Sequence, residues 1–166
     1  MKHFIIDELF TETVKYFEGD VKRIQHFTKV YSYAALIGRL EGLDGREQFT
    51  LETASIVHDI GIKNAEQKYG ECSGKLQEKE GPPVARQLLR RLGFDGDTVE
   101  RVCYLVGNHH SYEKIDGSDF QILCEADLIV NFCEEHTGKD AVEAAVGKLF
   151  KTAAGKDLCR MMFGIE

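Results

Sequence analysis

Apolar residues in this chain recur in steps of three and four, and nowhere in a sustained alternation. The stretch from Val21 to about Leu40 carries His26, Val30, Tyr33, Ile37 and Leu40 on one stripe. A second stripe runs through Val102, Leu105, Val106 and His109. Such spacing follows the 3.6-residue period of a helix with one buried face, not the two-residue period of a half-buried strand. Only two prolines interrupt 166 residues, and they are adjacent at Pro82 and Pro83. The chain is therefore expected to be all-α, a single globular domain over residues 1–166 built of about six to eight helices.

Residues 4–17 form the first expected helix, and Gly19-Asp20 resets the chain before the helix from Val21. Gly42 to Gly45 then leads into a helix from about Glu47 to Ile60. Pro82-Pro83 suits the first turn of another, carrying Val84, Leu88, Leu89 and Leu92 to Gly93. Asp97-Thr98-Val99-Glu100 has capping-box spacing, with Asp97 as the cap. Helices over Phe120 to Glu135 and Ala141 to about Ala154 complete the set. Between Gly61 and Gly81 no period holds, so this segment reads as a long binding loop or cover.

The net charge of −7 argues against an extended DNA- or RNA-binding face. No apolar run approaches the roughly 20 residues of a membrane span. The opening stretch, Met1 to Glu8, reaches its acids too early for a signal peptide. Five cysteines, without a C-x-x-C pair, read as reduced core residues of a cytoplasmic protein. No nucleic acid polymer and no membrane is expected as a partner, and self-association stays open.

Asp127 lies in a stretch that is apolar on most sides, from Phe120 to Val130. An ionised carboxylate there costs several kcal/mol unless a cation or strong donors meet it. Capping of a neighbouring helix or an arginine would serve, and so would a metal ion. His58-Asp59 places an imidazole beside a carboxylate, about 100° apart on a helix, so the two can flank one point. His26 rides an apolar stripe, and His109-His110 closes another after Gly107-Asn108. Together these residues make an imidazole–carboxylate set drawn from four helices. Nitrogen and oxygen ligands without thiolate favour Fe, Mn, Co, Ni or Zn, with Mg where carboxylates dominate.

The order His26, His58-Asp59, Asp127 resembles the H…HD…D signature of the HD-domain superfamily of metal-dependent phosphohydrolases. The surrounding words match as well: Ala-Ser-Ile-Val-His58-Asp59-Ile-Gly, Leu-Val-Gly-Asn-His109-His110-Ser and Glu-Ala-Asp127-Leu-Ile. The likeness covers about residues 20–135. It implies a helical fold, one or two divalent ions and hydrolysis of a phosphate ester. A one-metal site would use His26, His58, Asp59 and Asp127. A two-metal site would add His109 and His110, with Asp59 bridging. Relatives of that kind carry a further histidine before a Gly-x-x-x-Ala-Arg word, here Gly81 to Arg86. This chain has Gln77, Glu78 and Glu80 there instead, and Glu80 is the candidate ligand.

On this resemblance a small phosphorylated substrate is expected, nucleotides included, cleaved by a metal-activated water. Asp59 would orient that water. Arg23 and Lys63 would reach phosphate oxygens, and His109 or His110 would protonate the leaving oxygen where no second ion binds them. Two alternatives keep the fold. One is a di-iron oxygenase; the other is a non-catalytic, metal-stabilised signalling or binding domain.

Overall fold

The computed structural model describes residues 2–166, with side chains from Phe4 onward. Met1 and the side chains of Lys2 and His3, part of the opening stretch read above, lie outside that description. The order of elements is α1 (Lys2–Tyr16), α2 (Val21–Leu40), α3 (Gly45–Val57), α4 (Ile62–Tyr69), α5 (Gly74–Arg91), α6 (Gly96–Val106), a 3₁₀ turn (Tyr112–Lys114), α7 (Ser118–Glu134), α8 (Lys139–Leu149) and α9 (Ala153–Phe163). No strand occurs among the described residues. Short polar side chains start several of these helices. Asp20, Asp44, Asp95 and Thr152 each accept a hydrogen bond from a backbone N–H of the first turn.

Helix α7 is the axis of the molecule. It is buried around nearly its whole circumference, as an all-round apolar helix must be. It packs against α2 and α3, α3 packs against α6, and α5 lies along α6. One continuous core results, with Phe27, Ile37, Leu51, Ile56, Leu105, Phe120 and Leu123 fully enclosed. The five cysteines are all unpaired. Cys103, Cys124 and Cys159 are core residues, Cys72 is half-buried, and Cys133, contrary to expectation, is on the surface.

Four features differ from the sequence expectation. The segment from Gly61 to Gly81 is largely helical, comprising α4 and the first turns of α5, and not a long loop. Its mixed charge hid the period: in α4 only Ile62 and Ala65 are buried. Pro82 and Pro83 lie inside α5, not in its first turn. Their missing N–H groups remove two intrahelical bonds, and the Pro82 ring packs on Gly107, where a Cβ would come within 3.0 Å of it. The cap of α6 is Asp95, which accepts from Thr98 N at 3.0 Å, not Asp97. Finally, the last expected helix is two. Phe150 turns extended and is fully buried, and the N–H groups of Lys151 and Thr152 donate to the enclosed carboxylate of Glu125. That carboxylate in α7 draws the chain out of α8 and sets the start of α9.

The turn from His58 to Gly61 joins α3 to α4 and presses against α5. A Cβ on Gly61 would lie 2.5 Å from both the Gln77 carbonyl oxygen and the Gly81 nitrogen. Both are backbone atoms, which cannot step aside as a side chain can. Gly61→Ala is expected to destabilise the protein by about 2 kcal/mol, in the range of core overpacking, read as a lower denaturation midpoint with an unchanged slope in urea.

Candidate metal centre

Two core helices and one turn meet beneath a pocket of about 450 Å³. His26 comes from α2, His58 and Asp59 from the turn after α3, and Asp127 from α7. His26 Nε2 lies 3.1 Å from Asp127 Oδ1, 3.3 Å from His58 Nε2 and 3.4 Å from Asp59 Oδ2. His58 Nε2 lies 3.5 Å from both carboxylates. Ligands about 2.1 Å from a shared ion stand about 3.0 Å apart at octahedral right angles and about 3.4 Å apart at tetrahedral ones. The two imidazole nitrogens are therefore spaced from each other and from each carboxylate as ligands of one cation are, and His26, His58 and Asp59 have ligand atoms that all lie within 4.8 Å of one another.

Hydrogen bonds behind the imidazoles aim them. His26 Nδ1 donates to Glu134 Oε2 at 2.9 Å, and His58 Nδ1 to the Ser55 carbonyl at 2.8 Å. A ring that gives its Nδ1 proton to such an acceptor leaves the Nε2 lone pair facing the centre. Burial pushes the His26 imidazole down, but Asp127, Asp59 and Glu134 outweigh it and raise its pKa to about 9. His58 is raised as well: burial again opposes, and Asp59 and Asp127 prevail. Burial would raise Asp127, yet the imidazoles of His26 and His58 hold it well below the carboxylate range. The cluster thus gathers positive charge between its carboxylates. A divalent ion would take the same lone pairs and displace protons.

A second group shares Asp59. Ligand atoms of Asp59, His109 and His110 lie within 4.8 Å of one another. His109 Nδ1 donates to the Val106 carbonyl at 2.9 Å, so its Nε2 carries a lone pair. That atom is fully buried, has no hydrogen-bond partner and faces Asp59 Oδ1 at 3.4 Å. An imidazole lone pair facing a carboxylate oxygen calls for a cation between them, a proton or a metal ion. Asp59 therefore turns one oxygen to each group, the arrangement a bridging carboxylate requires. The donor chemistry fits divalent metal at the first position, and at the second it supplies fewer ligands.

The remaining expected residues are placed differently. Glu80 does not reach either group. Its carboxylate is nearly buried against α4, where it accepts from Lys68 Nζ and from the Tyr69 hydroxyl at 3.0 Å, joining α4 to α5. Glu78 accepts from His110 N and the Ser111 hydroxyl. Gln77 is the residue that meets the site. Its amide nitrogen donates to the Cys72 carbonyl at 2.7 Å, which turns its Oε1 toward His110 Nε2 at 3.0 Å. The reason is helical: one residue of α5 is about 100° of rotation, so Gln77, Glu78 and Glu80 point in three directions. Lys63 is turned away as well, donating to the Tyr16 carbonyl at 3.0 Å and lying over the Tyr16 ring. Arg23 lines the pocket, but its guanidinium is held between Asp20 and Glu66.

Sequence reasoning passed over Glu134, although it follows Asp127 by two helical turns and so shares its face. It also missed Lys22 and Asn131 on the pocket wall. Lys22 looked like any surface cation, and Asn131 lay in a helix read only for its apolar side.

Metal analysis of protein purified without chelator is expected to find bound divalent ion in wild type and Glu80→Gln, and to lose it in His58→Ala and Asp127→Ala. The rise in melting temperature on adding Mn²⁺ or Zn²⁺ to chelated wild type should vanish in the latter two. Glu134→Ala should weaken metal binding about 10–100-fold, the scale of lost support behind a histidine ligand.

Comparison with known proteins agrees with this geometry. The family model described as HD domain matches residues 23–148, which span every residue of both groups. A crystal structure of a predicted HD superfamily hydrolase from an uncultured Thermotogales bacterium superimposes with a TM-score of 0.68 and 21% sequence identity, covering 95% of this chain and 84% of that chain. At that identity the likeness is one of fold. Among curated proteins none matches the chain significantly. With the His58-Asp59 pair on the turn after α3, and the family match across most of its length, the chain belongs to the HD-domain family.

Proposed function

We propose that this protein is a metal-dependent phosphohydrolase that cleaves a small phosphate ester with water. The observation that carries the reading is the cluster of His26, His58 and Asp59, with Asp127 against both imidazoles, at the floor of a pocket with cations on its wall. When bound there, a divalent ion would activate water toward phosphorus and take charge from a phosphoryl oxygen.

The chain's own residues do the rest. The rings of His26 and His58 are already aimed at the centre by Glu134 and the Ser55 carbonyl, so an ion that displaces their Nε2 protons finds the two nitrogens in place. Asp59, with an oxygen toward each group of ligands, lies where an attacking water would be oriented. His110 lines the pocket beside it with its Nε2 engaged by Gln77. Burial and the neighbouring His109 lower its pKa, so the ring is neutral near pH 7. That favours a role in ordering the pocket or in completing a second metal position, not a standing positive charge on phosphate. The unpaired state of all five cysteines is consistent with a reducing, cytoplasmic setting. Among the described residues no helix is long and apolar enough to cross a membrane.

Protein loaded separately with Mn²⁺, Co²⁺, Ni²⁺, Zn²⁺, Mg²⁺ or Fe²⁺ is expected to release inorganic phosphate from at least one member of a phosphate-ester panel. Asp127→Asn should lower that rate by about a hundredfold or more. Turnover that survives chelation, or that Asp127→Asn leaves intact, would place the chemistry elsewhere.

A further inference from the structure

Most side chains that line the pocket above the metal centre end in polar or charged groups. Among the described residues its apolar side chains are Ile62 and Cys72, and apart from imidazoles no aromatic ring lines it. A nucleobase is a flat apolar plate, and proteins hold it by stacking on aromatic or broad apolar surface. No Phe or Tyr ring among the described residues of this wall offers a base a stacking partner. Three groups on it are uncommitted instead. The Asn131 amide lies one helical turn beyond Asp127, half-buried and without a side-chain hydrogen bond in the protein. Glu135 stands exposed at the C-terminal end of α7. Lys22 opens α2 beside Arg23, but whereas Arg23 is paired with Asp20 and Glu66, Lys22 has no ion pair.

The geometry points to a phosphate monoester of a small polyol or sugar as the substrate, with Lys22 binding the phosphate and Asn131 the hydroxyls of the alcohol part. This rests on the hydrolase reading above. A primary ammonium that makes no ion pair within the protein gives three donors to phosphoryl oxygens. A carboxamide offers both a donor and an acceptor, which matches adjacent hydroxyl groups that do the same. Glu135 adds an acceptor at the mouth. In the reaction the oxygen of water ends on phosphorus, the phosphorus–oxygen ester bond breaks, and a proton passes to the departing alcohol. The products are the polyol and inorganic phosphate. Lys22 would hold the inorganic phosphate product as it holds the ester.

The test is steady-state kinetics of the metal-loaded full chain on a hexose 6-phosphate, glycerol 3-phosphate, a nucleoside 5′-monophosphate and p-nitrophenyl phosphate, with metal content measured for each variant. The wild type is expected to favour the sugar or glycerol ester in kcat/KM. Asn131→Leu should reduce the preference for that ester over p-nitrophenyl phosphate about tenfold, the scale of one lost hydrogen bond. Lys22→Met should raise KM for every ester, and weaken inhibition by inorganic phosphate, about tenfold while retaining metal. A preference for the nucleotide, an Asn131→Leu effect equal on all esters, or a Lys22→Met protein with unchanged KM and phosphate inhibition would overturn the assignment and leave the hydrolase standing. No turnover of any ester by protein that holds metal would overturn the hydrolase reading and this inference with it.

Discussion

The negative charge of Asp127, placed in the middle of a helix buried on almost every side, is the constraint on which the rest of the structure depends. Only its edge meets the pocket, too little for water to solvate the charge, so the protein must supply positive charge or a strong donor. It does so by bringing His26 and His58 from two neighbouring helical segments to within 3.5 Å. The packing of α7 against α2 and α3 is therefore also the assembly of the ligand set. Hydrophobic burial and charge compensation act on the same three segments, so neither can be satisfied without the other.

Around that centre a further layer of hydrogen bonds decides which atoms are available. Glu134 and two backbone carbonyls, of Ser55 and Val106, each take an Nδ1 proton and leave an Nε2 lone pair inward. The backbone acceptors are the informative ones. A carbonyl three residues earlier is supplied by helical geometry itself, so His58 and His109 are aimed by the ends of the helices that carry them. His26 is in mid-helix, where carbonyls are already engaged, and needs a side chain from α7 to do the same.

The wall of the pocket follows from a close approach of backbones. Gly61 and Gly81 allow the turn carrying His58 and Asp59 to pack directly on α5. That contact fixes the rotation of α5, which turns Gln77 to His110, Glu78 to the backbone after the histidine pair, and Glu80 to Lys68 and Tyr69. Three neighbouring polar residues thus acquire three separate tasks: lining the site, capping a turn and tying two helices together.

The sequence by itself determined the helical class, because a period of three to four is a local property of the chain. It marked the candidate ligands too, since His26, His58, Asp59 and Asp127 are polar groups in apolar stretches, and such a mismatch is visible without coordinates. Glu134 was legible by the same rule and was passed over. Only the tertiary structure decided what depends on the rotation of one helix against another: that Gln77 and not Glu80 faces the centre, that Lys63 turns to Tyr16, and that Arg23 is spent on Asp20 and Glu66 while Lys22 makes no ion pair. It also decided where the last helix breaks, because the acceptor that draws the backbone out at Lys151 and Thr152 is Glu125, 26 and 27 residues earlier in the chain. A residue's period reports which way it points on its own helix. Which partner waits there is set by packing between segments, and no local pattern carries that information.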